Sequence, residues 1–527
     1  MRMIGSMPSF RFSRSPALTL IAFIGVLCLA YESAQLVLEG NLRMLVVSGM
    51  VFVGVVIVVA ILNDWRRGLY LLLGWILFED LFRKYLGNNM AIFFAKDVLA
   101  IVLYISFFAS RRERLIKGFK PPFLIPLLIF IWFGVIQMFN PASTSIFYGI
   151  LGMKVDFLYI PLMYIGYALI ESEADLRKFF SFNTVLILIV TFLGIAQSIL
   201  GPKFLNPTVI QDEIRDLSTT YRTAPISGLM AYRPSGVFVS AGRFENFMTV
   251  SWIVALGFGG YLLLRSRRGR NLAFLGIAIV GVGSIMSASR GVFMWNSGSA
   301  LVIVAAFLWG APWRQGEARR ILRAIQRAML FVGLAILLMM SVFPEMIGSR
   351  FAIFYETLSP DSPASELAYR ARDYPLKNLM LAFDHERWPY GYGIGTCSLG
   401  VQYVVRIMGA SPMGIGVENG YGQLIVELGI LGLILWIFLS IAISVSAWNI
   451  ASRLRGTPWF PLAFVIFWYA FLLLGPKGYI SFVSYQDYLM NAYLWILLGI
   501  LFRLPQLAQE TVQSEDRANL ASAHGQA

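Results

Sequence analysis

Residues 419–446 read NGYGQLIVELGILGLILWIFLSIAISVS, a run whose one charged side chain is Glu427. A helix rises about 1.5 Å per residue, so about 20 residues cross the hydrocarbon core of a bilayer, and this run exceeds that length. Outward from it, apolar segments of spanning length recur at approximately 16–36, 44–62, 67–82, 91–109, 121–139, 148–170, 179–200, 244–264, 271–288, 291–309, 328–345, 458–475 and 486–502. Together they predict an all-α polytopic membrane protein of about fourteen transmembrane helices.

Composition has the same character. Of 527 residues, 58% are hydrophobic and 14% charged, against about 25% charged in soluble domains. Lys and Arg outnumber Asp and Glu by 43 to 29, a formal charge of +14. In a membrane protein such an excess marks cytoplasmic loops, and no soluble basic domain is available to hold a duplex, so nucleic acid is not an expected partner. Cys28 lies in the first apolar segment and Cys397 in a distant loop, so a disulfide between them would have to cross bilayer depth. His385 and His524 are the only histidines, which argues against a His-based zinc site. Tyr31 and Glu32 stand where a signal-peptide cleavage site would fall, so the run from Ala17 to Ala30 is expected to persist as the first helix.

Basic clusters fall on alternate connections: Arg66 and Arg67, then Arg111 to Lys120, then Arg265 to Arg270, then Arg314 to Arg327. By the positive-inside rule these loops are cytoplasmic, and with an even number of spans both termini are too. Residues 1–503 then form a single polytopic domain and 504–527 a polar cytoplasmic tail, expected to lack regular structure from about Gln506. Two outward loops are long, about 201–243 and 346–418, and long loops usually carry function. The second contains a predicted helical stretch from Ser365 to Glu386, then the glycine-rich run Tyr390 to Thr396. Lys96, Asp97, Lys154 and Asp156 fall inside apolar segments and are expected to pair within the bundle, with an ion pathway as the alternative.

Insertion does not require arginines on the outward side, yet several stand there. Arg290, in the short turn Ser287 to Gly291, is placed at the outer interface, where a guanidinium suits bidentate contact with phosphate; snorkelling to headgroups is the plain alternative. Arg222, Arg233 and Arg243 are candidates for an anion-attracting vestibule, and Arg370 and Arg372 in the second loop have the same ambiguity. Glu418 stands where the second loop meets the 419–446 run. Partial dehydration there suits a proton acceptor, while a helix N-terminus would equally favour it as a cap.

These stretches resemble the O-antigen ligase and O-antigen polymerase superfamily, most strongly from about residue 230 to 435. The resemblance rests on Arg233 to Phe238, on Ser289 to Gly291, on Arg370 or Arg372 followed by Pro389 to Gly395, and on Asn419, nine further residues, then Gly429 and Gly432. The ligases have His where this chain has Glu418, a departure that favours a polymerase over a ligase. The resemblance implies metal-independent glycosyl transfer, without a cofactor, from an undecaprenyl-pyrophosphate-linked glycan at the periplasmic face of a bacterial inner membrane. It implies Glu418 and Arg290 as catalytic groups, Arg233, Arg243, Arg222, Arg370, Arg372 and Asn419 as substrate contacts, and as partners an acceptor glycan or lipid A core, the bilayer and a chain-length regulator protein. No Asp-x-Asp pair on an outer loop offers a metal site, although Asp361, Asp373 and Asp384 are carboxylates on that side. A lipid-linked-oligosaccharide flippase or other secondary transporter is the rival from another class; the long outer loop and the lack of a half-to-half repeat count against it.

Overall fold

The computed structural model describes residues 42–86, 90–113, 119–207, 220–265, 269–310, 315–401, 404–405, 409 and 416–524. Among them eight helices are long and apolar enough to cross a membrane: Ala91–Ser110, Ile146–Leu169, Glu173–Leu200, Ala241–Arg265, Arg290–Gly310, Gly420–Arg453, Phe460–Ile480 and Tyr488–Glu510. Four further expected spans contain shorter apolar helices, Val53–Asn63, Leu124–Met138, Arg270–Met286 and Met329–Val342. Trp65–Tyr85 is helical and carries Glu79 and Asp80. The first expected span, with Cys28, lies outside the described residues. The sheet content of the described residues is one antiparallel hairpin, β1 (Tyr221–Thr223) with β2 (Met230–Tyr232). The fold is that of a multi-pass α-helical membrane protein.

Among the described residues, 42–72 with 101–110 form one compact unit and the remainder a second. In the first, the Ser106 hydroxyl donates to the Ile61 carbonyl at 2.8 Å, and Trp65 packs edge-on against Phe107. Every site candidate belongs to the second.

There, most charges within the apolar helices are neutralised in place. Lys96 Nζ lies 3.0 Å from Glu79, Lys154 Nζ lies 2.7 Å from Asp97, and Asp80 takes both Arg83, at 2.9 Å, and Arg243, at 2.7 Å. An unpaired ion in hydrocarbon is costly, which is why these residues are found together. Asp156 departs from the expected pairing. It forms no ion pair among the described residues; its Oδ1 accepts from Gln486 Nε2 at 3.2 Å, and Gln486 in turn donates to the Ser398 hydroxyl, which donates to Glu427 Oε1 at 2.9 Å.

The 419–446 run is a helix with a break. Gly420–Arg453 is helical except at Gly429, whose φ of 74° and ψ of 179° interrupt the ladder. Freed backbone groups cannot be left bare at membrane depth. The second long loop supplies their partners: the amides of Tyr392 and Gly393 donate to the carbonyls of Val426 and Glu427 at 2.8 and 2.9 Å, and the Ile430 amide donates to the Trp388 carbonyl at 3.1 Å. The glycine-rich run is thus the segment that enters the break. Gly395, with φ of 87°, lies so close to the Ile146–Phe157 helix that a Cβ there would sit 1.9 Å from the Tyr148 carbonyl oxygen. Glu427 holds the same segment from below, accepting from the Cys397 amide at 2.7 Å.

The tail corrects an expectation. The last helix runs without interruption from Tyr488 to His524, with Pro505 inside it, where structure was expected to end near Gln506. Its sequence beyond Pro505 is rich in Ala, Leu, Gln and Glu, which favour helix, and Arg503 anchors the junction by donating to the Ile170 carbonyl at 2.9 Å.

Gly429→Ala is expected to destabilise the fold by about 1–3 kcal/mol through its backbone conformation alone, with added cost because the new Cβ would lie 2.4 Å from the Pro389 carbonyl oxygen. Thermal denaturation in detergent measures this, and wild-type stability in the variant would show that the break is dispensable.

Candidate functional site

Two short segments carry Arg222, Arg233 and Arg290, and one buried residue fixes both. Ala288, with φ of 52°, turns the chain between Arg270–Met286 and the helix that begins at Arg290. Arg233 follows β2, and Arg222 lies on β1 opposite Ala231. Arg350, on the helix Pro344–Leu358, is 1% exposed; its Nε donates to the Met286 carbonyl at 3.1 Å and its Nη2 to the Tyr232 carbonyl at 3.2 Å. One guanidinium therefore fixes the approach to Arg290 and to Arg233. From the same helix, Glu356 accepts from the amides of Ile226 at 2.7 Å and Ser227 at 3.2 Å, which fastens the hairpin turn.

The arginines so placed form a cluster. Arg290 Nη1 lies 2.9 Å from Glu366 Oε2, and Arg370 Nε reaches the same oxygen at 3.0 Å. Arg233 pairs with Glu245. The Arg222 side chain has no ion pair or hydrogen bond among the described residues, and its guanidinium is pushed down to about 10, first by burial and then by repulsion from Arg233 and Arg290. Four guanidinium groups thus face two carboxylates, and the surplus of positive charge is what an anion would neutralise.

The polar loop then joins this cluster to Glu418. Arg370 lies on a π-helical turn, Tyr369–Asp373, that leads into the helix Tyr374–Phe383, and its guanidinium stacks 4.9 Å from the centre of the Tyr374 ring. The Tyr374 hydroxyl donates to Glu418 Oε2, and this hydrogen bond to a carboxylate pushes the phenol above its ordinary range. Arg290, Glu366, Arg370, Tyr374 and Glu418 form one continuous chain of contacts, with the Glu418 carboxylate exposed at its end.

Other expected residues have different duties. Asn419, expected to contact substrate, is 1% exposed and caps the Gly420–Arg453 helix: its Oδ1 accepts from the Gly422 amide at 2.9 Å and its Nδ2 donates to the Pro375 carbonyl at 3.0 Å. Both ends of its amide are occupied, and the cap that Glu418 was a candidate for is filled by its neighbour. Arg372 is 85% exposed and reaches only Asp373, at 4.0 Å, so it stands outside the cluster. Arg243 is held by Asp80 and by the Tyr488 hydroxyl, at 3.3 Å. It lines a cavity of roughly 310 Å³ together with Glu245, Asn246, Gly291, Lys477 and Asp487. Within this cavity Lys477 Nζ donates to Asn246 Oδ1 at 2.9 Å, giving polar walls suited to hydroxyl groups. A larger cavity of roughly 650 Å³ is apolar, lined by Trp252, Leu301, Val304 and Phe307 among others, and holds no titratable group.

Sequence reading missed Glu366, Tyr374 and Arg350. The spacing of Glu366 and Arg370 is the helical i, i+4 signal and was legible. The pairing of Arg290 with Glu366, and the reach of Arg350 to two carbonyls distant in the chain, required the fold. No group of three or more metal-ligating side chains occurs among the described residues. No protein-family model and no curated protein matches the chain.

Burial pushes the Glu366 carboxyl up, but the hydrogen bonds and charges of Arg290 and Arg370 outweigh it and hold the group below its ordinary range. A depressed folded-state pKa stabilises the fold above the unfolded value, about 4.3, and that contribution is lost as pH falls through the folded value. The stability difference between wild type and Glu366→Gln is therefore expected to shrink as pH is lowered from about 6 toward 3. Denaturation midpoints across that window test it, and a constant difference would show that Glu366 does not act as the ionised bridge.

Proposed function

We propose that the chain is a multi-pass enzyme of a bacterial inner membrane that transfers glycan from an undecaprenyl-pyrophosphate-linked donor to an acceptor sugar hydroxyl, most simply as a polymerase of O-antigen or exopolysaccharide repeats. In this reading about fourteen spans leave both termini cytoplasmic and the arginine cluster periplasmic. The observation that carries it is the contact chain from Arg290 to Glu418, which couples a surplus of guanidinium charge to an exposed carboxylate at the end of a membrane helix. Glu418 in place of the ligase histidine favours polymerase over transfer to lipid A core.

The acceptor hydroxyl oxygen forms a bond to the anomeric carbon while the bond from that carbon to the pyrophosphate oxygen breaks with its electron pair. Glu418 takes the hydroxyl proton. Undecaprenyl pyrophosphate leaves with charge that Arg290, Arg222 and Arg233 stabilise, each preorganised donor being worth roughly 10²–10³-fold by analogy with oxyanion sites. The Arg290–Gly310 helix joins the two halves of such a substrate, since its first residue is Arg290 and its Leu301 and Val304 line the apolar cavity, which suits a polyprenyl chain.

Incubating purified protein with lipid-linked repeats and resolving the products tests the reaction. A ladder of lengths is expected; a single transfer to lipid A core would make it a ligase, and no product with either acceptor would sink the transferase reading. Arg290→Lys is expected to stay impaired despite retaining charge, because an ammonium cannot make the planar two-point contact. Near-wild-type product from Arg290→Ala would reduce this residue to a headgroup anchor.

Glu418→Gln is expected to fold normally, because Asn419 provides the helix cap, yet to lose about 10²–10⁴-fold in turnover as a missing general base would. Single-turnover rates of the purified variant decide it, and unchanged turnover would remove Glu418 from the mechanism.

A further inference from the structure

Among the described residues of the second long loop, Arg387 belongs neither to the cluster nor to any ion pair. Its Nε is buried and has no hydrogen-bond partner among the described residues. The position is rigid, because the Arg387 carbonyl accepts from the amides of Tyr390, at 3.0 Å, and Gly391, at 2.7 Å, in the same segment that enters the break at Gly429. The side chain lines a cavity of roughly 420 Å³ between the end of the helix Leu124–Met138 and the Gly429 break.

The walls of this cavity define what would fill it. Among the described residues no carboxylate lines it, so a cation finds no partner there. The polar neighbours are already engaged: Gln137 donates to the Tyr390 carbonyl at 2.9 Å and Asn140 to the Gly391 carbonyl at 3.1 Å. That leaves the guanidinium to face an occupant. Around it stand Ile136, Phe139, Tyr390 and Leu431, each about half exposed or more, at the end of helices that cross the membrane. A free ion would gain nothing from such walls, whereas an amphiphile with a phosphate beside the guanidinium and chains along Ile136, Phe139 and Leu431 uses both parts.

We propose that this cavity is a seat for one phosphate-bearing anionic lipid, held by Arg387 and separate from the Arg290 cluster. The proposal rests on the membrane reading of the fold and not on glycosyl transfer. Lipid binding can therefore fail while the product assay succeeds, or the reverse.

The test is native mass spectrometry of the full chain with phosphatidylglycerol and, separately, phosphatidylcholine. Wild type is expected to retain one phosphatidylglycerol per chain about ten-fold more tightly than phosphatidylcholine, the scale of one charge-assisted contact. Arg387→Gln is expected to abolish that selectivity, and Arg387→Lys to keep part of it. Arg372→Gln, which alters an exposed arginine on the same loop, is expected to leave it intact. The Arg387 side chain has no hydrogen-bond or ion-pair partner to lose among the described residues, and the Arg387→Lys arm carries the test if the glutamine variant proves unstable. Equal retention of the two lipids by wild type, or undiminished selectivity in Arg387→Gln, would overturn the assignment. Displacement of the lipid by millimolar inorganic phosphate would make this a seat for the free ion and would overturn it equally.

Discussion

A peptide carbonyl or amide without a partner is costly in hydrocarbon, and the break at Gly429 frees several of them. The placement of the long loop follows from how they are satisfied. Trp388, Tyr392 and Gly393 bond to Ile430, Val426 and Glu427, so the long loop is tied to a membrane helix by backbone hydrogen bonds that depend on shape and not on side-chain identity. Glycine is required where the two backbones meet, because any Cβ would collide with the opposite chain. The glycine-rich run and the interrupted helix are two halves of one structural element.

Charge is treated differently within the apolar helices and in the segments that join them. Within the apolar helices Lys96, Lys154, Arg83 and Arg243 each meet a carboxylate, and pairing offsets part of the penalty of burial. In the cluster around Arg290 four guanidinium groups meet two carboxylates, the Arg222 side chain has no described partner, and Arg290 shares Glu366 with Arg370. Shared and missing partners leave positive charge uncompensated among the arginines of the cluster. Arg350 and Glu356 make this arrangement rigid, since one helix fixes the turn before Arg290 and the hairpin that carries Arg222 and Arg233.

Much of this was legible in the sequence. Hydropathy fixes helices of spanning length almost without reference to context, because the bilayer sets their length and lipid sets their composition. The short turn around Ser289 and the helical stretch after Ser365 were equally readable, the first from its brevity between apolar runs and the second from its polarity. Less accessible were Asn419, whose amide proved to be a helix cap, and the tail, where polarity suggested disorder but helix-forming residues continue the last span to His524.

What the sequence alone determined about this protein is therefore its class, its long apolar helices among the described residues and the segments where arginines gather, all of which depend on local composition and length. The tertiary structure decided which arginines share a carboxylate, which one lacks a partner, that Tyr374 joins the cluster to Glu418, and that the glycine-rich loop seals the break at Gly429. The physical reason is that a charge or an unsatisfied backbone group takes whatever complementary group the fold brings within about 3 Å, and here those partners lie far away in the chain.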